Sequence, residues 1–120
     1  MLLEMMIGKL HRATLTGCRL DYEGSITVDP DLLAAAGILP FQKVQVYGVE
    51  SGSRIETYAI TGTPRSRHVF INGAAARLFQ TGDRVIICGF ASMDVDAARS
   101  LTPRIVLLGT GNTVLAPAPS

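Results

Sequence analysis

Two stretches of this sequence, DPDLLAAAGILPFQKVQVYG at residues 29–48 and NGAAARLFQTGDRVIICG at residues 72–89, carry the same pattern. Each reads as a polar helix cap, a short apolar helix, a turn and an alternating strand that ends in glycine. The spacing is similar, because Val44 follows Asp29 by 15 positions and Val85 follows Asn72 by 13. This weak duplication favours a closed β-barrel with a pseudo-twofold internal repeat, which leaves no long sheet edge exposed.

Alternating or β-branched apolar runs around these units predict short strands. Asp29 is expected to cap a first helix that begins at Pro30 and that Gly37 ends; Asn72 is expected to cap a second helix. A third helix is predicted over residues 94–101, closed by Pro103. The mainly β class follows from seven predicted strands, at residues 9–17, 24–29, 43–49, 54–61, 68–73, 84–90 and 104–109.

The chain has 120 residues, which is enough for one small domain. We predict a single barrel domain over residues 1–112 and a flexible C-terminal tail over residues 113–120, because the ending LAPAPS has little to bury. Hydrophobic residues make up 48% of the chain and charged residues 18%. A small protein has a large surface for its volume, and so few charged side chains cannot cover it. This favours an oligomer in which apolar faces are buried between subunits.

The net charge of +1 is close to balance, and the scattered Lys and Arg residues argue against nucleic-acid binding. Glu4 interrupts the apolar opening, and no stretch has the pattern of a signal peptide or the roughly 18 apolar residues of a membrane span. We therefore expect a cytoplasmic protein without membrane attachment. Because Cys18, Cys88, His11 and His68 lack zinc-ligand spacing, we expect two buried, reduced thiols and no metal.

Two short motifs could support chemistry, although each has a structural alternative. Gly24-Ser25 could be a simple turn, and no GxSxG pattern surrounds Ser25 to support a hydrolase. The segment Asn72-Gly73-Ala74-Ala75 starts a predicted helix, whose first backbone N–H groups could bind an anion or belong to an ordinary cap. GTGN at residues 109–112 lacks the helix and the Lys-Ser/Thr pair of a phosphate loop, so a turn is predicted there.

Strand residues offer further candidates. Lys9 and Arg54 could each direct a cation into a pocket or simply cover the sheet surface. Thr57 and Tyr58 are neighbours in one strand and point to opposite faces, so both reach one pocket only if the strand bends. Tyr58 could equally be a core residue, since tyrosine is common in strands.

These motifs stand together in one order: GKLHRA, YEGSITVD, AAGIL, GSRIETYAIT, INGAAAR, GDRVII and FASM. From about Met5 to Leu108 the chain resembles the pyruvoyl-dependent aspartate 1-decarboxylase family, which makes β-alanine for pantothenate and coenzyme A. The resemblance implies a double-psi β-barrel, assembled as a homotetramer with active sites between subunits. It also implies self-cleavage between Gly24 and Ser25 into chains 1–24 and 25–120, either spontaneously or with a maturation protein.

The resemblance further implies a covalent pyruvoyl group derived from Ser25, which replaces a separate cofactor in the decarboxylation of L-aspartate. Ser25 Oγ would attack the carbonyl group of Gly24, where glycine avoids crowding by a Cβ atom. Tyr58 matches the family's proton donor. The remaining matches concern substrate binding, by Thr57, Gly73, Ala74, Ala75, Lys9, Arg54 and Asn72, and self-cleavage, by Thr57, His11 and Tyr22.

One departure from the family is the loop TPRSRHV at residues 63–69, which is bulkier and more basic than the expected glycine-containing turn. It concerns the surface or an interface rather than the site. The alternative to an enzyme is a catalytically silent double-psi barrel that serves as a binding or assembly module. An inert barrel has no reason to keep the candidate residues together, which are Lys9, Gly24, Ser25, Arg54, Thr57 and Tyr58.

Overall fold

The structure is a computed structural model that describes residues 1–115. The strands are β1 (Leu2–Thr14), β2 (Gly17–Arg19), β3 (Ser25–Val28), β4 (Lys43–Gly48), β5 (Arg54–Thr61), β6 (Val69–Asn72), β7 (Arg84–Asp94) and β8 (Arg104–Leu107). The helices are α1 (Pro30–Ala35) and α2 (Val95–Ser100), with short 3₁₀ helices η1 (Ala74–Leu78) and η2 (Thr110–Asn112). These elements confirm the predicted mainly β class.

The strands form an 8-stranded sheet in the order β2-β6-β3-β5-β4-β7-β1-β8. Only Leu15 and Thr16 separate β1 from β2 in the chain, and their backbone N–H groups donate to Asp83 and Val69. β1 and β2 are therefore parts of one continuous segment, and through it the sheet closes into a barrel. β8 lies outside this ring, parallel to β1.

The pairing register shows the pseudo-twofold symmetry that the repeat predicts. β4 and β7 pair antiparallel about the central pair Val46–Ile87. β3 and β6, which precede the two repeated helices, pair antiparallel about Thr27–Phe70. A twofold rotation that superposes one half on the other also converts each flanking pair into its counterpart on the opposite side of the centre. In β4 and β7 it converts Val44–Gly89 into Val85–Gly48, and in β3 and β6 it converts Ile26–Ile71 into Val69–Val28.

Apolar side chains of the strands and of α1 fill the barrel, because alternation along a strand sends every second side chain inward. Cys88 is buried, as predicted, whereas Cys18 is only half-buried. Removal of such side chains from water is the main favourable contribution to folding. The core includes Leu10, Ile26, Val28, Leu33, Val44, Val46, Ile71, Val85 and Ile87.

The first and third predicted helices are confirmed. Asp29 is the N-cap of α1, where its side chain accepts a hydrogen bond from the backbone N–H of Asp31 at 2.9 Å, and Pro30 is the first helical residue. Gly37, just beyond the helix, has a φ of +69°, which glycine adopts without a Cβ clash. α2 begins after its N-cap Asp94.

The second predicted helix is a 3₁₀ helix, and Asn72 does not cap it. Gly73 occupies the N-cap position of η1, with a φ of +82° and no side-chain cap bond. Asn72 is instead the last residue of β6, fully buried and paired with Ser25 of β3. The cap prediction is wrong because pairing within the sheet outweighs the local preference of asparagine for helix starts.

Three strands also differ from the prediction, and one of them is β7, which ends at Asp94 rather than at Phe90. β1 begins at Leu2 rather than Lys9, because residues 2–8 pair with the second half of β7. This opening stretch is apolar at nearly every position, so it lacks the alternation that marks a half-buried strand. β2 was not predicted as a separate strand, since it has only 3 residues.

The predicted turn at residues 109–112 is observed as η2, where Asn112 is buried and has a φ of +57°. Of the predicted tail, residues 116–120 lie outside the described residues. Within residues 113–115, the backbone N–H of Leu115 donates to the carbonyl oxygen of Leu107 at 2.8 Å. Among residues 1–115, none of the helices has the length and apolar character needed to cross a membrane.

Candidate active site

Ser25 is buried at the start of β3, and its hydroxyl group has two hydrogen-bond partners. It donates to the carbonyl oxygen of Glu23 and accepts from Nδ2 of Asn72, both at 3.0 Å. The same Nδ2 donates to Oγ1 of Thr27 at 2.8 Å, and Oδ1 of Asn72 accepts from Nε of Arg19 at 3.1 Å. The Ser25 cluster is the set of four side chains Ser25, Thr27, Asn72 and Arg19.

Arg19 was not singled out from the sequence. Its Cζ lies 4.6 Å from the ring centroid of Tyr22 and 4.3 Å from that of Phe70, and its Nη2 is 3.4 Å from Oγ1 of Thr27. Contacts of a guanidinium group with aromatic faces are attractive and restrict its position. No local motif could have revealed this residue, because its partner Asn72 is 53 positions away in the chain.

The segment that precedes Ser25 lies against the start of η1. A Cβ atom placed on Gly73 would lie 2.7 Å from Cα of Gly24 and 3.1 Å from the carbonyl oxygen of Tyr22. The backbone N–H of Gly73 donates to the carbonyl oxygen of Arg19 at 2.8 Å. The predicted substrate-binding segment and the predicted cleavage site are therefore in direct contact, and Ala74 and Ala75 follow as the first residues of η1.

Gly24 itself has open surroundings. A Cβ atom placed there would have no neighbour within 4 Å among residues 1–115. This distance leaves out Gly24 itself and its two chain neighbours. The expectation that glycine avoids crowding of its own carbonyl group during attack by Ser25 therefore stays a prediction.

Tyr58 and Ser25 line one cleft of about 370 Å³, together with Tyr22, Glu23 and Phe41. This proximity follows from the strand register. β3 and β5 run parallel, and their first pair is Ile26 with Ala59. Ser25 and Tyr58 each precede a member of this pair by one residue, so they lie side by side on the two neighbouring strands. The strand position of Tyr58 thus places a phenol group beside the predicted cleavage site.

Thr57 lies on the other side of the same strand. It alternates with Tyr58 and shares a face of β5 with the core residue Ala59 and with Ile55, which is partly buried against the core. The pairing of β3 with β5 begins at Ile26–Ala59, two residues beyond Gly24 and Thr57 in the two segments. Thr57 thus lies on the core-facing side of β5 near the start of this pairing, whereas Tyr58 lines the cleft.

Lys9 and Arg54 occupy a different part of the barrel. Lys9 lies on β1 opposite Cys88 of β7, and Arg54 lies on β5 opposite Tyr47 of β4. The guanidinium group of Arg54 is 3.9 Å from the ring centroid of Tyr47. Neither cation lines the cleft beside Ser25, so one chain does not bring all of the predicted site residues together.

Burial controls the protonation of the groups near these cations. It raises the pKa of the Cys88 thiol and of the Tyr47 phenol, and the positive charges nearby only partly oppose this. The pKa of His11 is lowered, first by burial and then by the charges of Lys9 and Arg12. Nδ1 of His11 is buried without a hydrogen-bond partner among residues 1–115.

None of the His, Cys, Asp and Glu side chains of residues 1–115 form a group of three or more that could hold a metal ion. The Ser25 cluster is built instead from hydroxyl, amide and guanidinium groups. Such groups donate hydrogen bonds to oxygen atoms, and they can position a nucleophilic hydroxyl or a carbonyl oxygen. The arrangement is therefore suited to chemistry at residue 25 itself.

Comparison with known proteins identifies relatives over nearly the whole chain. A family model described as aspartate decarboxylase matches residues 1–115. The aspartate 1-decarboxylase of Hyphomonas neptunium is 50% identical over 114 residues, which cover 95% of this chain and 97% of that protein. The protein of the same name from Maricaulis maris is 51% identical over 116 residues, covering 97% and 96%. That from Clostridium beijerinckii is 49% identical over 114 residues, covering 95% and 92%.

Proposed function

Because the chain belongs to the aspartate decarboxylase family, we propose that it converts L-aspartate to β-alanine and CO2, which supplies β-alanine for pantothenate and coenzyme A. The main structural support is the 3.0 Å hydrogen bond from Nδ2 of Asn72 to Oγ of Ser25, in a cleft that Tyr58 also lines. A buried serine hydroxyl held by a side-chain amide is a positioned nucleophile. The double-psi path of the barrel and a cytoplasmic location are parts of the same proposal.

The chain first cleaves itself between Gly24 and Ser25. Oγ of Ser25 attacks the carbonyl carbon of Gly24, and the amide nitrogen takes up a proton as the C–N bond breaks, so the amide becomes an ester. Elimination then removes the Cα proton of residue 25 and breaks its Cβ–O bond, which releases Gly24 as a carboxylate. Water replaces the nitrogen of the remaining enamine, and ammonia leaves.

The resulting pyruvoyl group supplies a carbonyl that binds the substrate amine and accepts the electron pair left by CO2. The surrounding residues fit such a group. Once the hydroxyl of Ser25 is gone, Nδ2 of Asn72 is free to donate to a carbonyl oxygen at the same residue. Tyr58, in the same cleft, is the proposed proton donor.

The remaining roles follow the family resemblance. Gly73, Ala74 and Ala75 contact the substrate, a role supported by the contact of Gly73 with Gly24. Thr57 serves both self-cleavage and substrate binding, and its position near the start of the β3–β5 pairing, which follows Gly24 and Ser25, supports the first role. His11 and Tyr22 assist processing, and a maturation protein accelerates it where the chain alone is slow.

A substrate with two carboxylates needs cations, and Lys9 and Arg54 lie outside the cleft of their own chain. We propose a homotetramer in which active sites form between subunits, so that a second copy contributes cations to the cleft. The exposed apolar rim of the cleft supports this assembly, since Phe41 is 76% exposed and Tyr22 is 50% exposed. Native mass spectrometry would show the mass of four copies.

Denaturing intact mass of the purified protein tests the self-cleavage. The expected products are a peptide of residues 1–24 and a chain of residues 25–120 that is lighter than its serine-terminated form by one ammonia molecule. The processed protein should form β-alanine from L-aspartate. The Ser25→Ala protein should keep its full mass and form none.

Two results would contradict the proposal. A Ser25→Ala protein that still released CO2 from aspartate would exclude the pyruvoyl mechanism. A wild-type chain that keeps its full mass, even after incubation with extract of the source cells to supply a maturation protein, would favour the silent barrel.

A further inference from the structure

We propose that Arg19 is a positioning residue that fixes the orientation of the Asn72 side-chain amide and so directs its N–H groups at residue 25. This inference rests on the proposed function, because it concerns the self-cleavage and the reaction at Ser25. Its basis is the 3.1 Å hydrogen bond from Nε of Arg19 to Oδ1 of Asn72.

The chemistry of the partners gives the Asn72 amide one orientation. A guanidinium group can only donate hydrogen bonds, so the oxygen of the amide must face Arg19. If the amide were flipped, its N–H groups would meet the N–H of Arg19, and the buried donors would be left unpaired. With Oδ1 turned to Arg19, Nδ2 donates to Ser25 at 3.0 Å and to Thr27 at 2.8 Å.

The position of Arg19 is itself fixed on several sides. Its backbone pairs directly with Asn72 in the parallel register of β2 with β6. Its guanidinium group lies against the rings of Tyr22 and Phe70, at 4.6 Å and 4.3 Å, and reaches Thr27 at 3.4 Å. Although Arg19 is an exposed residue, these contacts together favour the side-chain position that presents its Nε–H to Asn72.

The orientation matters before cleavage because it sets how Ser25 uses its hydroxyl group. One lone pair of Oγ accepts from Asn72, the hydroxyl proton points to the carbonyl oxygen of Glu23, and a second lone pair remains for attack. Without Arg19 the amide can rotate and present its oxygen to Ser25. The hydroxyl proton would then turn toward Asn72, away from Glu23.

The orientation also matters after cleavage. Arg19 belongs to the peptide 1–24 and Asn72 to the chain 25–120, so their hydrogen bond joins the two products. It keeps Nδ2 directed at residue 25 when the serine hydroxyl no longer accepts from it. Loss of Arg19 should therefore lower kcat and leave KM for aspartate nearly unchanged, since Arg19 does not line the cleft.

The test is the time course of self-cleavage, followed by intact mass, for matched variants. Arg19→Met keeps the length of the side chain but removes its donors, and we expect cleavage to slow about tenfold, the rate equivalent of one lost hydrogen bond. Arg19→Lys restores a donor without the planar fork and should recover part of the rate. Arg99→Met, on the exposed face of α2, is the control and should cleave at the wild-type rate.

One further variant separates positioning from stability. Val106→Ala removes a buried side chain on β8, which pairs with β1 and not with the strands of the Ser25 cluster, and thermal unfolding of each variant in the uncleavable Ser25→Ala background measures folding alone. Equal slowing of cleavage in Val106→Ala and Arg19→Met at an equal loss of thermal stability would overturn the inference, because it would indicate a structural role. Cleavage of Arg19→Met at the wild-type rate would overturn this inference alone. A wild-type chain that never cleaves would overturn it together with the proposed function.

Discussion

Asp29 and Asn72 hold equivalent positions in the two halves of the barrel, after β3 and at the end of β6, yet they bind different partners. The Asp29 carboxylate accepts backbone N–H groups from Asp31 at 2.9 Å, from Arg65 at 3.2 Å and from Arg67 at 2.7 Å. The Asn72 amide binds only side chains in the hydrogen bonds described above. The repeat thus keeps the backbone path while one polar residue joins a helix to a loop and the other serves the candidate active site.

The difference between a carboxylate and an amide explains this division. Burial by itself would raise the pKa of Asp29, but the N–H groups of Arg67, Asp31 and Arg65 more than offset it, and the pKa lies below its usual value. A carboxylate only accepts hydrogen bonds, which suits backbone donors. An amide both donates and accepts, so it can join the guanidinium of Arg19 to the hydroxyl of Ser25.

The substitution Asn72→Asp gives the second half of the repeat the carboxylate that Asp29 provides in the first half. Of the changes considered, it should have the largest effect, which is on the rate of self-cleavage. The new carboxylate could still accept from Arg19 but could not donate to Ser25 or Thr27. We expect self-cleavage to slow about a hundredfold, as for loss of an aligned donor in an active site. Intact mass over time measures the rate, and cleavage within about twofold of wild type would contradict the assignment of Asn72 as donor.

Gly73→Ala tests the residue that follows Asn72, where the other half of the repeat has Pro30. Its φ of +82° and the 2.7 Å approach of a new Cβ to Gly24 should both oppose the change. We expect the free energy of unfolding in the Ser25→Ala background to fall by about 3 kcal/mol. Urea unfolding measures it.

Gly111→Ala is the matched control for Gly73→Ala. Gly111 has a φ of +65° but no neighbour within 4 Å of the new Cβ among residues 1–115. The free energy of unfolding of Gly111→Ala should therefore fall only by the cost of placing alanine at a positive φ, about 1 kcal/mol. Equal losses at the two positions would show that the contact with Gly24 contributes nothing.

Asp29→Asn is the reciprocal change in the first half. It keeps the shape of the side chain but weakens the hydrogen bonds to Asp31, Arg65 and Arg67 by removing the charge. We expect a loss of about 1 to 2 kcal/mol in the free energy of unfolding. Self-cleavage at pH 7 should stay within about twofold of wild type, and a large loss of cleavage with intact folding would contradict the separation of roles.

The smallest expected effect is a pH dependence of the difference in unfolding free energy between the wild-type and Asp29→Asn proteins. Because the pKa of Asp29 is lower in the folded state, its ionised form stabilises the fold above the unfolded pKa, and this contribution is lost as pH falls through the folded pKa. The stability gap between Asp29 and Asp29→Asn proteins should therefore close between about pH 5 and pH 2. The pKa of His11 is also lowered in the folded state, so its neutral form stabilises the fold and this contribution is lost on acidification. The loss is equal in the two proteins and does not change the gap between them. Urea unfolding across this range would show a constant gap if the assignment of Asp29 were wrong.

Local chemistry was enough to predict much of the fold. Alternation located most strands, and the Asp29-Pro30 pair marked the start of α1. The repeat predicted a barrel with pseudo-twofold symmetry, although it did not predict which strands pair. Each of these predictions came from patterns within short stretches of the chain, where spacing carries the signal.

The prediction failed where distant pairing decides. Asn72 has the local pattern of a helix cap, but its position opposite Ser25 directs its amide into the sheet network. The contact of Arg19 with Asn72 could not be predicted from the sequence, because it depends on the pairing of β2 with β6. Lys9 and Arg54 carry the expected chemistry, yet their strands place them outside the cleft in one chain, so their roles stay predictions.

Both strands that close the barrel, β1 and β2, belong to residues 1–24. After a cut behind Gly24, noncovalent contacts alone hold this peptide, among them its pairing with β6, β7 and β8 and the hydrogen bond from Arg19 to Asn72. Unfolding of the cut protein is then also dissociation, so its melting temperature rises with protein concentration, and its two pieces must meet again before they can refold. The uncut precursor folds as a single molecule at any dilution. Folding before cleavage thus lets the barrel form without an encounter between separate peptides.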